Sequence, residues 1–124
     1  MSNTWEMGLS PLPFTNIIAG KKTIEVRLNR GKFTQFAPGD IVKLRRDYYD
    51  VHGVLRDGEF DAARVEVVAV RHYPTFLETV TAEGYEKVIP YASSAQVAAD
   101  EYNTYYSAAD QARYGVLAIE VIML

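Results

Sequence analysis

Hydrophobic and polar positions change period several times along the chain. Residues 4–9, TWEMGL, alternate loosely and predict a short first strand. Ser10-Pro11 then offers a helix cap followed by a proline at the first turn, where its missing N–H leaves nothing unpaired. Phe14, Ile17 and Ile18 recur at i, i+3 and i+4, which predicts a short helix with one apolar stripe, closed by Gly20 in the left-handed conformation. From Thr23 to Leu28 the period drops to two, so Ile24, Val26 and Leu28 face one way and Thr23, Glu25 and Arg27 the other.

Pro38-Gly39-Asp40 reads as a turn, and Ile41, Val42 and Leu44 open another strand. Asp57-Gly58 predicts a hairpin turn between residues 50–56 and the β-branched run of residues 64–72. Pro74 predicts the start of a helix through Leu77, Val80 and Glu83. Ser93 or Ser94 predicts the cap of a second, on which Ala95, Ala98, Tyr102 and Tyr105 share a face. The tail GVLAIEVIML is apolar enough for a strand buried on both faces. Strands, then helices, then a returning strand make an α+β domain: a small mixed β-barrel with flanking helices. Neither a repeat nor a linker divides the 124 residues, which read as a single domain, residues 1–124.

Composition narrows the chemistry. Cysteine is absent, so disulfides, thiolate metal sites and a cysteine nucleophile are excluded. His52 and His72 have no partners at metal-ligand spacing, and neither a metal nor a cofactor is implied. No apolar run approaches a membrane span and the N-terminus lacks a signal-peptide pattern, so a cytoplasmic protein without a membrane partner is expected, with a monomer assumed.

Charge is unevenly placed. Residues 20–46 hold eight basic and two acidic side chains, a net of +6 in a chain whose total is −3. A basic segment in an acidic body attracts a phosphate-bearing ligand locally while the remaining surface repels a long polyanion. The same side chains can also serve only to solvate strand edges. Within this segment Glu25 and Arg27 lie two apart on one strand face, where the carboxylate can orient a guanidinium fork suited to a phosphate or a nucleobase edge. Lys22 adds a point charge, and Lys21 lies next to it.

Gly20, Lys22, Glu25 and Arg27 resemble the G-x-K-x-x-E-x-R signature of the ASCH domain, a PUA-like family. The resemblance extends to WEMGL, Pro13-Phe14, Gly39-Asp40, Tyr105-Tyr106-Ser107 and YGVLAIEV, and so covers essentially the whole chain. It implies a PUA-like β-barrel of roughly six strands, with the signature lining a cleft beneath the helices. It also implies RNA or a nucleotide, or a modified nucleoside, as the ligand of Lys21, Lys22, Glu25 and Arg27, with Trp5 flanking the cleft. The family's characterised members include a ribonuclease and an amidohydrolase of a modified cytidine. A small hydrolase is therefore the alternative function, with Lys22 and Glu25 as its catalytic residues, and Glu83 or Glu86 as further carboxylates. In the amidohydrolase a Thr occupies the position of Glu25, and an ionised carboxylate cannot replace a hydroxyl as donor or nucleophile. Binding therefore ranks above catalysis. A module that takes a protein partner is the third reading, suggested by the acidic remainder of the surface. Of the nine tyrosines, Tyr102 and Tyr105 follow helical spacing suited to a core, and stacking on a base is the alternative use of these rings.

Overall fold

The computed structural model describes residues 2–124. Strand β1 (Thr4–Leu9) leads into helix α1 (Pro11–Ile18) and strand β2 (Ile24–Leu28); a 3₁₀ turn over Gly31–Gln35 precedes β3 (Ile41–Tyr49) and the long β4 (Leu55–Tyr73). Helices α2 (Phe76–Glu83), α3 (Tyr85–Val88), α4 (Ala95–Tyr105) and α5 (Ala108–Tyr114) follow, and β5 (Val116–Met123) returns to the sheet. The sheet has five strands in the order β1-β3-β4-β5-β2, with β1 and β3 parallel and the other neighbours antiparallel. Its end strands, β1 and β2, do not pair, so the fold is barrel-like without the closed barrel of about six strands expected from the sequence.

The last strand separates two cores, as its apolar composition predicts. Leu117, Ile119 and Val121 pack with Met7, Phe14 and Leu44 on one face of the sheet. Val116 and Ala118 pack on the other with Ile24, Val26 and Leu28 of β2 and with Phe76, Val80 and Ala98 of the helical layer. Glu25 and Arg27 lie opposite Ile119 and Leu117 across the β2–β5 ladder, so they share the face of the first core.

The turn after α1 sets the position of Lys22. Gly20 adopts φ +74°, its N–H donates to the Ile17 carbonyl at 3.0 Å, and that of Lys21 donates to the Asn16 carbonyl at 2.9 Å. This is a Schellman closure, and the left-handed residue it requires is best supplied by glycine. Lys22 N–H also donates to the Asn16 carbonyl, at 3.0 Å, which turns the chain into β2.

Two expected boundaries shift, and one helix is additional. Asp57-Gly58 is not a turn: β4 runs through it, and the hairpin turns at residues 50–53, where Asp50 Oδ1 accepts from the N–H groups of His52 and Val54 and Gly53 has φ +76°. Gly58 instead sits at an irregular stretch of the β3–β4 ladder, where a Cβ would lie 2.0 Å from the Arg46 carbonyl oxygen. Helix α2 begins at Phe76, capped by Thr75, because β4 extends to Tyr73 before Pro74 interrupts it. Helix α5, capped by Ser107 and followed by Gly115, has no counterpart in the elements read from the sequence.

Candidate functional site

The end of β1, the start of α1, strand β2, the β3–β4 hairpin, the α3–α4 loop and the end of α4 enclose a cavity of about 610 Å³. Lys22, Glu25 and Arg27 all line it. Lys22 is buried, and its Nζ donates to the carbonyls of Ile24 at 2.8 Å and Val88 at 2.6 Å, with Glu25 Oε1 at 3.6 Å. Two carbonyls accept from Lys22, and the Glu25 carboxylate beside it favours the charged ammonium. Burial pulls the Lys22 amine below the ordinary lysine range, and Glu25 opposes that shift.

Glu25 is only 5% exposed. Its Oε1 accepts from the Val26 N–H at 3.0 Å; its Oε2 is buried with no hydrogen-bond partner, 3.6 Å from Arg27 Nη2. Burial favours the protonated acid, but Lys22 and Arg27 outweigh it and hold the carboxyl below the usual range, so it is ionised. Arg27 is drawn away from Glu25: its Nη2 donates to the Gly8 carbonyl at 2.9 Å, and its guanidinium lies 5.1 Å from the centroid of Phe33.

Asn16 was not apparent as a site residue from sequence. It is 9% exposed and lines the same cavity, and its side chain makes no hydrogen bond among the described residues. Its trace in the sequence is a polar side chain between Phe14 and Ile17 on an apolar stripe. Glu101 and Tyr91 also line the cavity, with the Tyr91 hydroxyl donating to Glu101 Oε1 at 2.7 Å. Tyr102 closes the inner wall. Its ring stacks on Phe76 at 4.8 Å, and burial, reinforced by the Glu25 charge, pushes its phenol far above the usual tyrosine range.

Other expected residues lie elsewhere. Trp5 does not line the cavity: its indole stacks on Phe36 at 5.3 Å, and its Nε1 donates to Asp40 Oδ2 at 2.8 Å. Lys21 is exposed beside the turn and does not line the cavity either. Glu83 accepts from Arg71 at 2.6 Å and from the Tyr73 hydroxyl at 2.5 Å, and neither Glu83 nor Glu86 is a lining residue. Much of the basic segment is engaged within the chain. Besides Lys22 and Arg27, Lys32 bonds the Glu6 carbonyl, Arg30 pairs with Asp110, and Arg45 pairs with Asp47. Among the described residues no cluster of three or more His, Asp or Glu side chains could hold a metal ion, and no helix is long and apolar enough to cross a membrane.

The family profile of the ASCH domain matches residues 7–124. The chain belongs to the ASCH domain family. This is a PUA-like fold family thought to bind RNA. Two solved structures resemble this ASCH domain along nearly its whole length. The crystal structure of hypothetical protein PH0355 is 34% identical with a TM-score of 0.81, the match covering 98% of this chain and 99% of that one. The solution NMR structure of protein PF0455 from Pyrococcus furiosus is 33% identical with a TM-score of 0.74, covering 98% and 97%. No curated protein sequence matches the chain. In this ASCH domain, residues Gly20 to Arg27 run from the Schellman turn into β2, which is why Lys22, Glu25 and Arg27 meet at one cavity.

Proposed function

We propose that the cavity binds the base of an RNA or nucleotide ligand, with Glu25 reading a ring N–H or amino group. The observation that carries this reading is the buried, ionised and unpartnered Oε2 of Glu25 beside an open cavity. A buried acceptor without a protein donor is costly, and a ligand N–H that meets Oε2 as the Glu25 side chain turns toward the cavity removes that cost on binding. Asn16 adds an amide NH2 donor group and a carbonyl acceptor, a combination that suits the mixed donor and acceptor edge of a nucleobase. Arg27 orients and polarises Glu25, and Lys22 keeps it ionised from behind.

Phosphate contacts divide accordingly. The Lys22 ammonium is buried and donates to two backbone carbonyls, so it is not a phosphate contact. Arg27 gives one N–H to Gly8 and keeps its others, so with the exposed Lys21 it is a cation available to a phosphate. The alternative of a hydrolase with Lys22 as base is helped by burial, which lowers the pKa of the amine, but that ammonium would have to lose a proton beside the Glu25 carboxylate, which opposes it.

Replacing Glu25 with Gln keeps the shape and substitutes a donor for the free acceptor. Titration of the four ribonucleosides and of a short single-stranded RNA into Glu25→Gln should show affinity lowered by about tenfold or more relative to the unmodified protein, the value of a hydrogen bond to a charged group. Equal affinities in the two proteins would contradict the proposal.

A further inference from the structure

Five tyrosines line the cavity, and they divide into two kinds. Tyr102 and Tyr106 stack on Phe76, at 4.8 and 5.2 Å, and belong to the helical core. Tyr49, Tyr91 and Tyr105 are 56%, 54% and 73% exposed, and none is in a stacked aromatic pair among the described residues. They come from three separate places: the end of β3, the loop between α3 and α4, and the end of α4. Leu12 and Leu55, about half exposed, line the cavity beside them. Large apolar side chains held open to water around one mouth are costly for an isolated chain and suit a contact surface.

A cavity of this size accepts a molecule the size of a nucleoside. A strand delivering one base to Glu25 has to leave through the mouth, past these rings. Unpaired bases present flat apolar faces on both sides, and aromatic rings receive them with little regard to sequence. A duplex offers no such faces along its length, because its bases already stack on one another. We propose that Tyr49, Tyr91 and Tyr105 form a stacking rim for the unpaired bases next to the one in the cavity, so that the protein takes a base from within single-stranded RNA in preference to a free nucleoside. This rests on the base-binding reading of the cavity. Partial burial, the Glu101 carboxylate, and the Tyr105 and Tyr49 phenols together raise the Tyr91 phenol above the ordinary tyrosine range. Tyr91 is also held in place by Glu101, which reduces the ordering that a stacked base would require.

The test compares a mixed-sequence single-stranded RNA of about nine nucleotides, the same RNA annealed to its complement, and the four ribonucleosides as competitors. The single strand should bind more tightly than the duplex and than any ribonucleoside. Alanine at Tyr49, Tyr91 or Tyr105 should each lower its affinity on the order of tenfold and narrow its advantage over the ribonucleosides, while phenylalanine at positions 49 and 105 should retain both. Because all three side chains are exposed, these variants should fold, which circular dichroism checks.

A triple alanine variant that binds the RNA as well as the unmodified protein overturns the rim. If ribonucleosides bind in a Glu25-dependent manner and the RNA binds no more tightly, the rim falls and the base cavity stands. RNA binding that depends on the tyrosines but not on Glu25 overturns the base cavity, and this proposal with it. A rim that takes up an added peptide while ignoring every nucleic acid form overturns both.

Discussion

Arg27 Nη2 donates to the carbonyl oxygen of Gly8 at 2.9 Å, and that bond spans the seam between β2 and β1, the two sheet edges that do not pair. Where a closed barrel would carry a ladder of backbone bonds, this chain uses a side chain from the strand that also supplies Glu25. Fold and site are therefore coupled at Arg27. The Lys32 ammonium bonds the neighbouring Glu6 carbonyl and adds a second tie between the same regions.

Arg27→Ala should accordingly lower stability by about 1–3 kcal/mol, through the lost charged hydrogen bond and the packing on Phe33. Arg27→Lys should recover only part of it, since an ammonium lacks the planar fork that faces Gly8 and Phe33 together. Urea unfolding of the three proteins measures this, and a stability loss confined to ligand-bound samples would contradict a role at the seam.

Gly8 has its own constraint. A Cβ there would collide with Arg45 Nη2 and lie 2.6 Å from Asp47 Oδ2, inside a part-buried ion pair. Gly8→Ala should displace Arg45 from Asp47 and cost about 1–3 kcal/mol, seen as a lower thermal midpoint. Gly58→Ala meets the Arg46 carbonyl instead of a movable side chain and should cost at least as much.

Lys22 and Glu25 are buried together, and their removal is not symmetrical. Lys22→Met leaves the buried Glu25 carboxylate with Arg27 as its one neighbouring cation and should destabilise by about 2–4 kcal/mol. Lys22→Met combined with Glu25→Gln should regain a substantial part. Lys22→Ala thus tests folding before it tests binding; a single variant as stable as the parent protein would show that the pair is not coupled as the distances indicate.

Acid sensitivity has a named contributor in Asp40. Burial favours its protonated form, but the N–H groups of Asn3 and Ala37 and the indole of Trp5 outweigh it and hold the carboxyl below its ordinary value. The resulting stability is fully present above the unfolded-state value, about 4, and is lost as pH falls through the lower folded-state value. Asp40→Asn should therefore be less stable than the parent near neutral pH, and the difference should shrink in acid. A difference that stays constant with pH would assign the effect to packing rather than to charge.

Much of this fold was legible in the sequence because local signals agreed with tertiary packing. The period-two run at Ile24, Val26 and Leu28 faces the helical core, Gly20 closes α1 in the left-handed region, and the apolar tail is buried on both faces. Closure of the sheet was not legible, because pairing of β1 with β2 depends on the geometry of the whole barrel rather than on either strand. Asp57-Gly58 misled because a turn-forming pair and a glycine that lets two backbones approach look alike in one dimension. At the site, the ordered signature identified Lys22, Glu25 and Arg27 as a group. It could not show that the two cations would turn to backbone carbonyls, leaving one carboxylate oxygen unmatched. Trp5 was misplaced for a related reason: an indole beside a signature strand can serve a ligand or a neighbour, and Asp40 and Phe36, far along the chain, decide which.

The most direct measurement is a crystal structure of the protein soaked with whichever ribonucleoside binds most tightly. It should show a ring or amino N–H of the base within hydrogen-bond distance of Glu25 Oε2, and the Asn16 side chain on the same edge. A nucleoside seated elsewhere, or one in this cavity with Oε2 still unpartnered, would contradict the claim that this oxygen is the reading atom.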